Sequence, residues 1–213
     1  MGARLVVLAS GGGSNLQAII DACAAGSIDA QVVAVVTNVA DAGAIARGER
    51  AGIPVVVLPA TEGEHRRDYD ARLAAAVAPY APDWVVLAGW KRLLSSVFLD
   101  AHAGRVVNLH PALPGQFPGL HAIERAHEEA RGGTRTATGV MVHLVPDEGV
   151  DDGPVLATAT VPIRPDDTLL TLTERVHRTE HELLVATIGR LVAGEGGMLL
   201  QDRLTPADDP HGG

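Results

Sequence analysis

Short apolar runs alternate with amphipathic stretches along the first half of the chain. Residues 4–9 read as a buried strand, residues 10–14 as a glycine loop, and residues 15–25 as a helix carrying Leu16, Ile19 and Ile20 on one face. The pattern repeats with a Val-rich strand at 31–37, a helix at 42–51 ended by Gly52, and a third strand at 54–58. A helix at 66–78, a strand at 84–87, a short helix at 95–100 and a strand at 106–109 follow. Strands joined through helices pair in parallel and are covered on both faces. The order therefore predicts an α/β fold, a Rossmann-like, mostly parallel twisted sheet with helices on both faces.

Beyond residue 110 the period changes. A Pro/Gly loop at 111–119 and a helix at 121–131 lead to strand-like runs at 138–144 and 155–161. No helical pattern separates those two runs, which predicts an antiparallel C-terminal hairpin. Residues 168–193 carry a helical period through Leu169, Leu172, Val176, Leu183 and Leu184 and are expected to cover the sheet. Residues 206–213 are polar and rich in Pro and Gly, as in a frayed tail. The expected organisation is one domain over 1–195, with an N-terminal half to about 105 that carries the glycine loop, a second half from 106, and a partly flexible extension at 196–213.

Composition narrows the class. Hydrophobic residues make up 46% of the 213 and aromatics only 3%, so the core is built from Ala, Val and Leu, as buried parallel strands require. A net charge of -9, with 17 scattered basic residues, disfavours a nucleic-acid surface while leaving room for one local anion pocket. No apolar run reaches the about 18 residues of a spanning helix. The strand pattern begins at once without a basic, cleavable leader, so no membrane contact and a cytoplasmic location are expected. The single cysteine, Cys23, cannot form an internal disulfide and fits a reducing compartment.

Two regions carry candidate chemistry. The loop Ser10-Gly11-Gly12-Gly13-Ser14-Asn15 lies between a strand and a helix, where backbone N–H groups and the helix dipole favour a phosphate. It lacks the lysine of a Walker A motif and the spacing of a dinucleotide fingerprint, which disfavours ATP and NAD. A tight glycine turn capped by Ser14 or Asn15 is the structural alternative. Asn108 and His110 end a strand, where open α/β sheets gather ligands, and period two turns both to one side with Leu109 in the core. Asp151, in the acidic stretch with Asp147, Glu148 and Asp152, can partner His110 if the sheet brings it there. An amide donor, an imidazole and a carboxylate are the groups an amine needs to attack a formyl carbon. Pro111, Pro114 and Pro118 stiffen the bordering loop, and His121 can add a polar contact. Neither a zinc-type His/Cys cluster nor EF-hand spacing is present, so no metal is expected.

Five segments acquire specificity in combination. They are Gly13-Ser14-Asn15-Leu16-Gln17-Ala18-Ile19, Leu87-Ala88-Gly89-Trp90, Asn108-Leu109-His110-Pro111, Pro118-Gly119-Leu120-His121, and Asp147-Glu148-Gly149-Val150-Asp151 with Gly153-Pro154. From about residue 4 to 193 the chain resembles the phosphoribosylglycinamide formyltransferase family of folate-dependent enzymes. The resemblance implies transfer of the formyl group of 10-formyltetrahydrofolate, a co-substrate, to the amine of 5′-phosphoribosylglycinamide (glycinamide ribonucleotide) in de novo purine (IMP) synthesis. It gives Asn108, His110 and Asp151 the catalytic roles. Gly13, Ser14, Asn15, Pro111 and Glu180 would hold the ribonucleotide, with Glu180 on its ribose. Arg66, Trp90, Lys91, Arg92, Leu93, Leu94, Asn108, Val145, Asp147 and Asp151 would contact the folate. A homodimer is compatible with it. Ala112-Leu113-Pro114-Gly115 replaces a common Ser-Leu-Leu-Pro, Lys91 an often apolar residue, and His177 an often-found Gln.

Related chemistries fit less well. A methionyl-tRNA formyltransferase needs a further C-terminal domain and a basic RNA surface. A formyltetrahydrofolate deformylase carries a second histidine where Pro111 stands. A transferase acting on an amino-sugar nucleotide shares the folate and the chemistry, and a non-catalytic metabolite-binding module keeps the glycine loop alone. Gly13-Ser14-Asn15 and Glu180 favour glycinamide ribonucleotide.

Overall fold

The computed structural model describes residues 2–195. Its strands are β1 (Ala3–Leu8), β2 (Ala30–Thr37), β3 (Val55–Val57), β4 (Trp84–Leu87), β5 (Val106–His110), β6 (Ala137–Leu144) and β7 (Val155–Pro162). Its helices are α1 (Ser14–Ala24), α2 (Gly43–Arg50), α3 (Arg66–Val77), α4 (Ser96–Ala101), α5 (Ala122–Arg131) and α6 (Leu169–Val192). All seven strands form one sheet in the order β3-β2-β1-β4-β5-β6-β7. The first five are parallel, and β6 and β7 add antiparallel beyond β5. After β3 the chain crosses back over β1 to lay down β4. The carboxyl ends of β1 and β4 therefore diverge into the crevice where such sheets bind ligands.

Alternation along the strands sorts the core into two layers. Leu5, Val7, Val86, Val107, Leu109 and Val142 pack under α1, α2, α5 and α6. Val6, Leu8, Val85, Leu87 and Val106 pack under α3 and α4, against Tyr69, Leu73, Val77, Phe98 and Leu99. Leu73 and Phe98 are fully buried, and such side chains contribute roughly 1.5–3 kcal/mol each. Buried Asp70 on α3 accepts the Ser95 backbone N–H at the start of α4, which ties the two helices of that layer together.

Several boundaries differ from the sequence pattern, each for a local reason. Gly13, at φ 72, is the residue before α1, and neither Ser14 nor Asn15 caps the helix with its side chain. The left-handed turn is open to glycine, so the backbone itself starts the helix. β3 holds only three residues because Pro54 has no N–H to donate. α3 ends at Val77 and tightens into a 3-10 turn over Ala78–Tyr80, where Pro79 stops regular bonding. His121 stands before α5 in a left-handed conformation, φ 62, rather than inside the helix. α6 begins after Thr168, whose hydroxyl accepts from the Thr171 N–H at 3.2 Å while Thr171 Oγ1 accepts from the Thr168 N–H at 3.1 Å. No helix among the described residues is long and apolar enough to cross a membrane. The extension expected at 196–213 lies outside the described residues.

Candidate active site

β5 delivers Asn108 and His110 to the α3/α4 side of the sheet, and Leu109 goes into the opposite core. β6 runs antiparallel beside it and sets His143 opposite Asn108 and Met141 opposite His110. The connection from β6 to β7 then returns Asp151. This residue adopts φ 54, a conformation that Asp and Asn tolerate better than most. Three contacts hold it there. Asn108 Nδ2 donates to Asp151 Oδ1 at 2.9 Å, and the Gly119 N–H donates to Oδ2 at 2.8 Å. His110 Nδ1 lies 3.2 Å from the same Oδ2.

A fourth group completes this cluster. His143 Nε2 lies 3.1 Å from Asn108 Nδ2 and 3.6 Å from Asp151 Oδ1. Its Nδ1 is 2.8 Å from the Leu144 carbonyl, which can only accept. A hydrogen therefore sits on Nδ1, and Nε2 faces the Asn108 amide and the Asp151 carboxylate. Sequence reasoning did not find His143. Its one local signal is a histidine two residues after Met141 in an apolar strand, and its register against Asn108 is a tertiary fact.

A cavity of about 470 Å³ opens beside the cluster. Trp90, Lys91, Arg92, Leu93 and Leu94, which follow β4, form one wall, and Val145, Asp147, Val150 and Asp151 another. Pro111, Gly119 and His121 border it from the loop after β5. The Trp90 indole N–H is buried without a partner, and the Arg92 guanidinium lies 4.1 Å over the Tyr69 ring. Arg66 does not line the cavity. It pairs with Glu148, whose second oxygen accepts from the Ser96 N–H at 2.9 Å.

The glycine loop adjoins this cavity at the β1/β4 crevice. The Ser10 N–H donates to the Gly89 carbonyl at 3.1 Å, and Ser10 Oγ accepts from the Lys91 N–H at 3.0 Å. Arg47 on α2 donates from Nε to the Gly12 carbonyl at 2.7 Å and from Nη1 to Gln17 at 3.2 Å, which fixes the loop from behind. At the head of α1, Asn15 Nδ2 donates to Glu180 Oε2 at 3.1 Å. His177 Nε2 lies 4.0 Å from that same oxygen.

The sequence model of the formyl transferase family matches residues 3–188. The chain belongs to the formyl transferase family. Within it, the chain is similar to phosphoribosylglycinamide formyltransferase of Escherichia coli (strain K12), 42% identical over 212 residues, covering 95% of this chain and 96% of that one. The enzyme of that name from Schizosaccharomyces pombe is 43% identical over 204 residues, covering 90% and 98%. The solved glycinamide ribonucleotide transformylase 1 from Symbiobacterium toebii matches with a TM-score of 0.85 at 36% identity, over 91% of this chain and 89% of that one.

Charge in this formyl transferase site follows from burial and partners. Burial drives the His110 pKa down, and Asp151 together with the Gln116 and Phe117 backbone opposes it without reversing it. Burial works to raise Asp151, but the His143 side chain, the Gly119 hydrogen bond and the His110 imidazole outweigh it, leaving its carboxyl below the usual range. At neutral pH the pair is therefore an uncharged imidazole beside a carboxylate. Protonation would put N–H groups toward Asp151 on one side and the Gln116 carbonyl, 3.4 Å from Nε2, on the other. Glu180 is pushed up by burial, against the Asn15 hydrogen bond and the charge of His177. Among the described residues no group of three or more His, Cys, Asp or Glu could hold a metal ion.

Proposed function

We propose that this formyl transferase moves the formyl group of 10-formyltetrahydrofolate onto the amine of glycinamide ribonucleotide, a step of de novo purine synthesis. The observation that carries the reading is the meeting of Asn108, His110 and Asp151 beside a cavity that adjoins the glycine loop. The apolar walls from Trp90, Leu93, Leu94 and Val145 suit a flat heteroaromatic ring. The loop at Gly13-Ser14-Asn15, with the α1 N-terminus, suits a phosphate. Glu180 can accept from ribose hydroxyls, Pro111 shapes the wall near the amine, and Arg66 can exchange Glu148 for an acidic group of the folate.

In this reading the uncharged amine attacks the formyl carbon, and the carbonyl electron pair moves to oxygen. The Asn108 amide stabilises that oxyanion. His110 Nε2 takes a proton from the attacking nitrogen, and the imidazolium gains Asp151 as counter-charge. Return of the oxygen pair then expels the folate nitrogen, which receives the proton from His110. The products are formylglycinamide ribonucleotide and tetrahydrofolate, with no covalent enzyme intermediate.

A cytoplasmic location goes with this pathway, and residues 1–195 are taken as one working domain. Every group assigned here comes from a single chain, so a homodimer, the assembly kept from the sequence, would add no group to the site. Sedimentation at micromolar protein tests it. The decisive assay mixes purified protein with both substrates and follows tetrahydrofolate release. Release that requires glycinamide ribonucleotide is expected. Amine-independent release means hydrolysis, and no release at all sinks the assignment.

A further inference from the structure

Phe117 lies in the loop that follows the catalytic strand, at φ 46 and only 7% exposed. A bulky side chain occupies that left-handed region under strain and persists there only where its surroundings over-determine it. Two guanidinium groups do so. Arg135 lies 4.5 Å and Arg125 5.2 Å from the ring centroid. Each also grips a neighbour of the ring. Arg135 Nη1 donates to Gln116 Oε1 at 2.8 Å, and Arg125 Nη1 donates to the Pro118 carbonyl at 3.0 Å. Arg135 is itself anchored by Glu129 at 2.7 Å.

The gripped segment ends on the reacting groups. The Gln116 carbonyl lies 3.4 Å from His110 Nε2, and the Gly119 N–H donates to Asp151 at 2.8 Å. We propose that Arg125, Phe117 and Arg135 are positioning residues for formyl transfer, a clamp that holds residues 116–119 against His110 and Asp151. The inference rests on the reading of those two as the reacting pair. An uncharged imidazole needs one acceptor and an imidazolium needs two. The clamp keeps the second acceptor in place, so it favours the form of His110 that carries the proton between nitrogens. The groups facing His110 are Asp151, His143 and the backbone of Gln116 and Phe117.

The test uses the whole chain with Arg135→Met and, as an independent variant on an exposed residue, Arg125→Met. Ring-labelled histidine NMR reads the His110 titration, and steady-state kinetics read kcat and KM. Loss of the Gln116 contact lowers the pH at which His110 titrates. Removing a nearby cation without moving the loop would raise it, so the sign separates the clamp from simple loss of charge. In Arg135→Met, kcat falls roughly ten- to a hundredfold through misplacement of the reacting groups, while KM for glycinamide ribonucleotide is unchanged. Arg125→Met shifts both readouts in the same direction. An unmoved or raised His110 titration, or an unchanged kcat, in a variant that folds overturns the proposal. A wild type without formyl transfer would defeat the functional reading instead, and the His110 titration would still decide the clamp.

Discussion

Gly12 and Gly13 stand side by side in the glycine loop, yet alanine at each should do different damage. At Gly13 the backbone is left-handed, φ +72, and an added Cβ would meet Ala44 Cα at 2.9 Å, Ala44 Cβ at 3.1 Å and Arg47 Cδ at 3.1 Å. The left-handed conformation costs an alanine about 1–2 kcal/mol. The contact with Ala44 is backbone and cannot rotate away, so crowding adds about 1–3 kcal/mol. Reduced freedom of the unfolded chain returns about 0.4–1 kcal/mol. Gly13→Ala should therefore lose roughly 1–5 kcal/mol out of the roughly 5–15 kcal/mol typical of a domain. At Gly12 an added Cβ meets nothing within 4 Å, so Gly12→Ala should fold normally and instead crowd the phosphate, raising KM for glycinamide ribonucleotide. Urea unfolding followed by circular dichroism measures the first effect, and steady-state kinetics with each substrate varied measure the second. Equal losses of stability in the two variants, or a Gly13→Ala within about 0.5 kcal/mol of wild type, would refute the reasoning.

Asp151→Asn tests charge apart from geometry, because asparagine accepts φ 54 and can still accept from the Gly119 N–H. Its kcat should drop about 10²–10⁴-fold with little change in thermal midpoint, and a wild-type kcat would remove Asp151 from the mechanism. Glu180 has its folded pKa raised by burial, so the native state holds the proton more tightly than the unfolded chain. Its ionisation therefore costs stability as pH rises from the unfolded carboxylate value through the folded one, and the cost is complete above that. Thermal melts of Glu180→Gln and wild type across that range should diverge in favour of the variant as pH rises, and parallel curves would contradict a strained carboxylate. Arg47→Gln removes the 2.7 Å bond to the Gly12 carbonyl; a charge-assisted bond of about 1.5 kcal/mol corresponds to roughly a tenfold rise in KM for glycinamide ribonucleotide. The same variant should match wild type with the dephosphorylated amine, and an equal loss with both amines would show that Arg47 does not act through the phosphate.

Local periodicity carried most of the fold, because strand and helix spacing depend on neighbours a few residues apart. The alternation that sends Leu109 to one core also sends Asn108 and His110 to the other side, and that much is local. The partnership with Asp151 is not, since it needs β6 to pair antiparallel with β5 and the following loop to turn back. His143 was invisible for the same reason. The clamp on Phe117 draws Arg125 from α5 and Arg135 from the approach to β6, two positions that read as ordinary surface charges. Glu180 did leave a trace that spacing alone could have flagged. It sits four residues from both Val176 and Leu184, a carboxylate in the apolar stripe of α6. The structural alternative for the glycine loop, a side-chain cap by Ser14 or Asn15, does not occur, because the turn into α1 is made by the backbone of Gly13.

The hydrogen bond between Asn15 and Glu180 spans 165 positions of sequence. One partner opens α1, just after the first strand, and the other lies in α6, so this side of the glycine loop closes only when two helices far apart in sequence meet. A fragment ending before α6 would keep the glycine loop and β5 but lose Glu180, the partner of Asn15. Any compound that bridges the loop and α6 should therefore also slow opening of the molecule at the contact between α1 and α6.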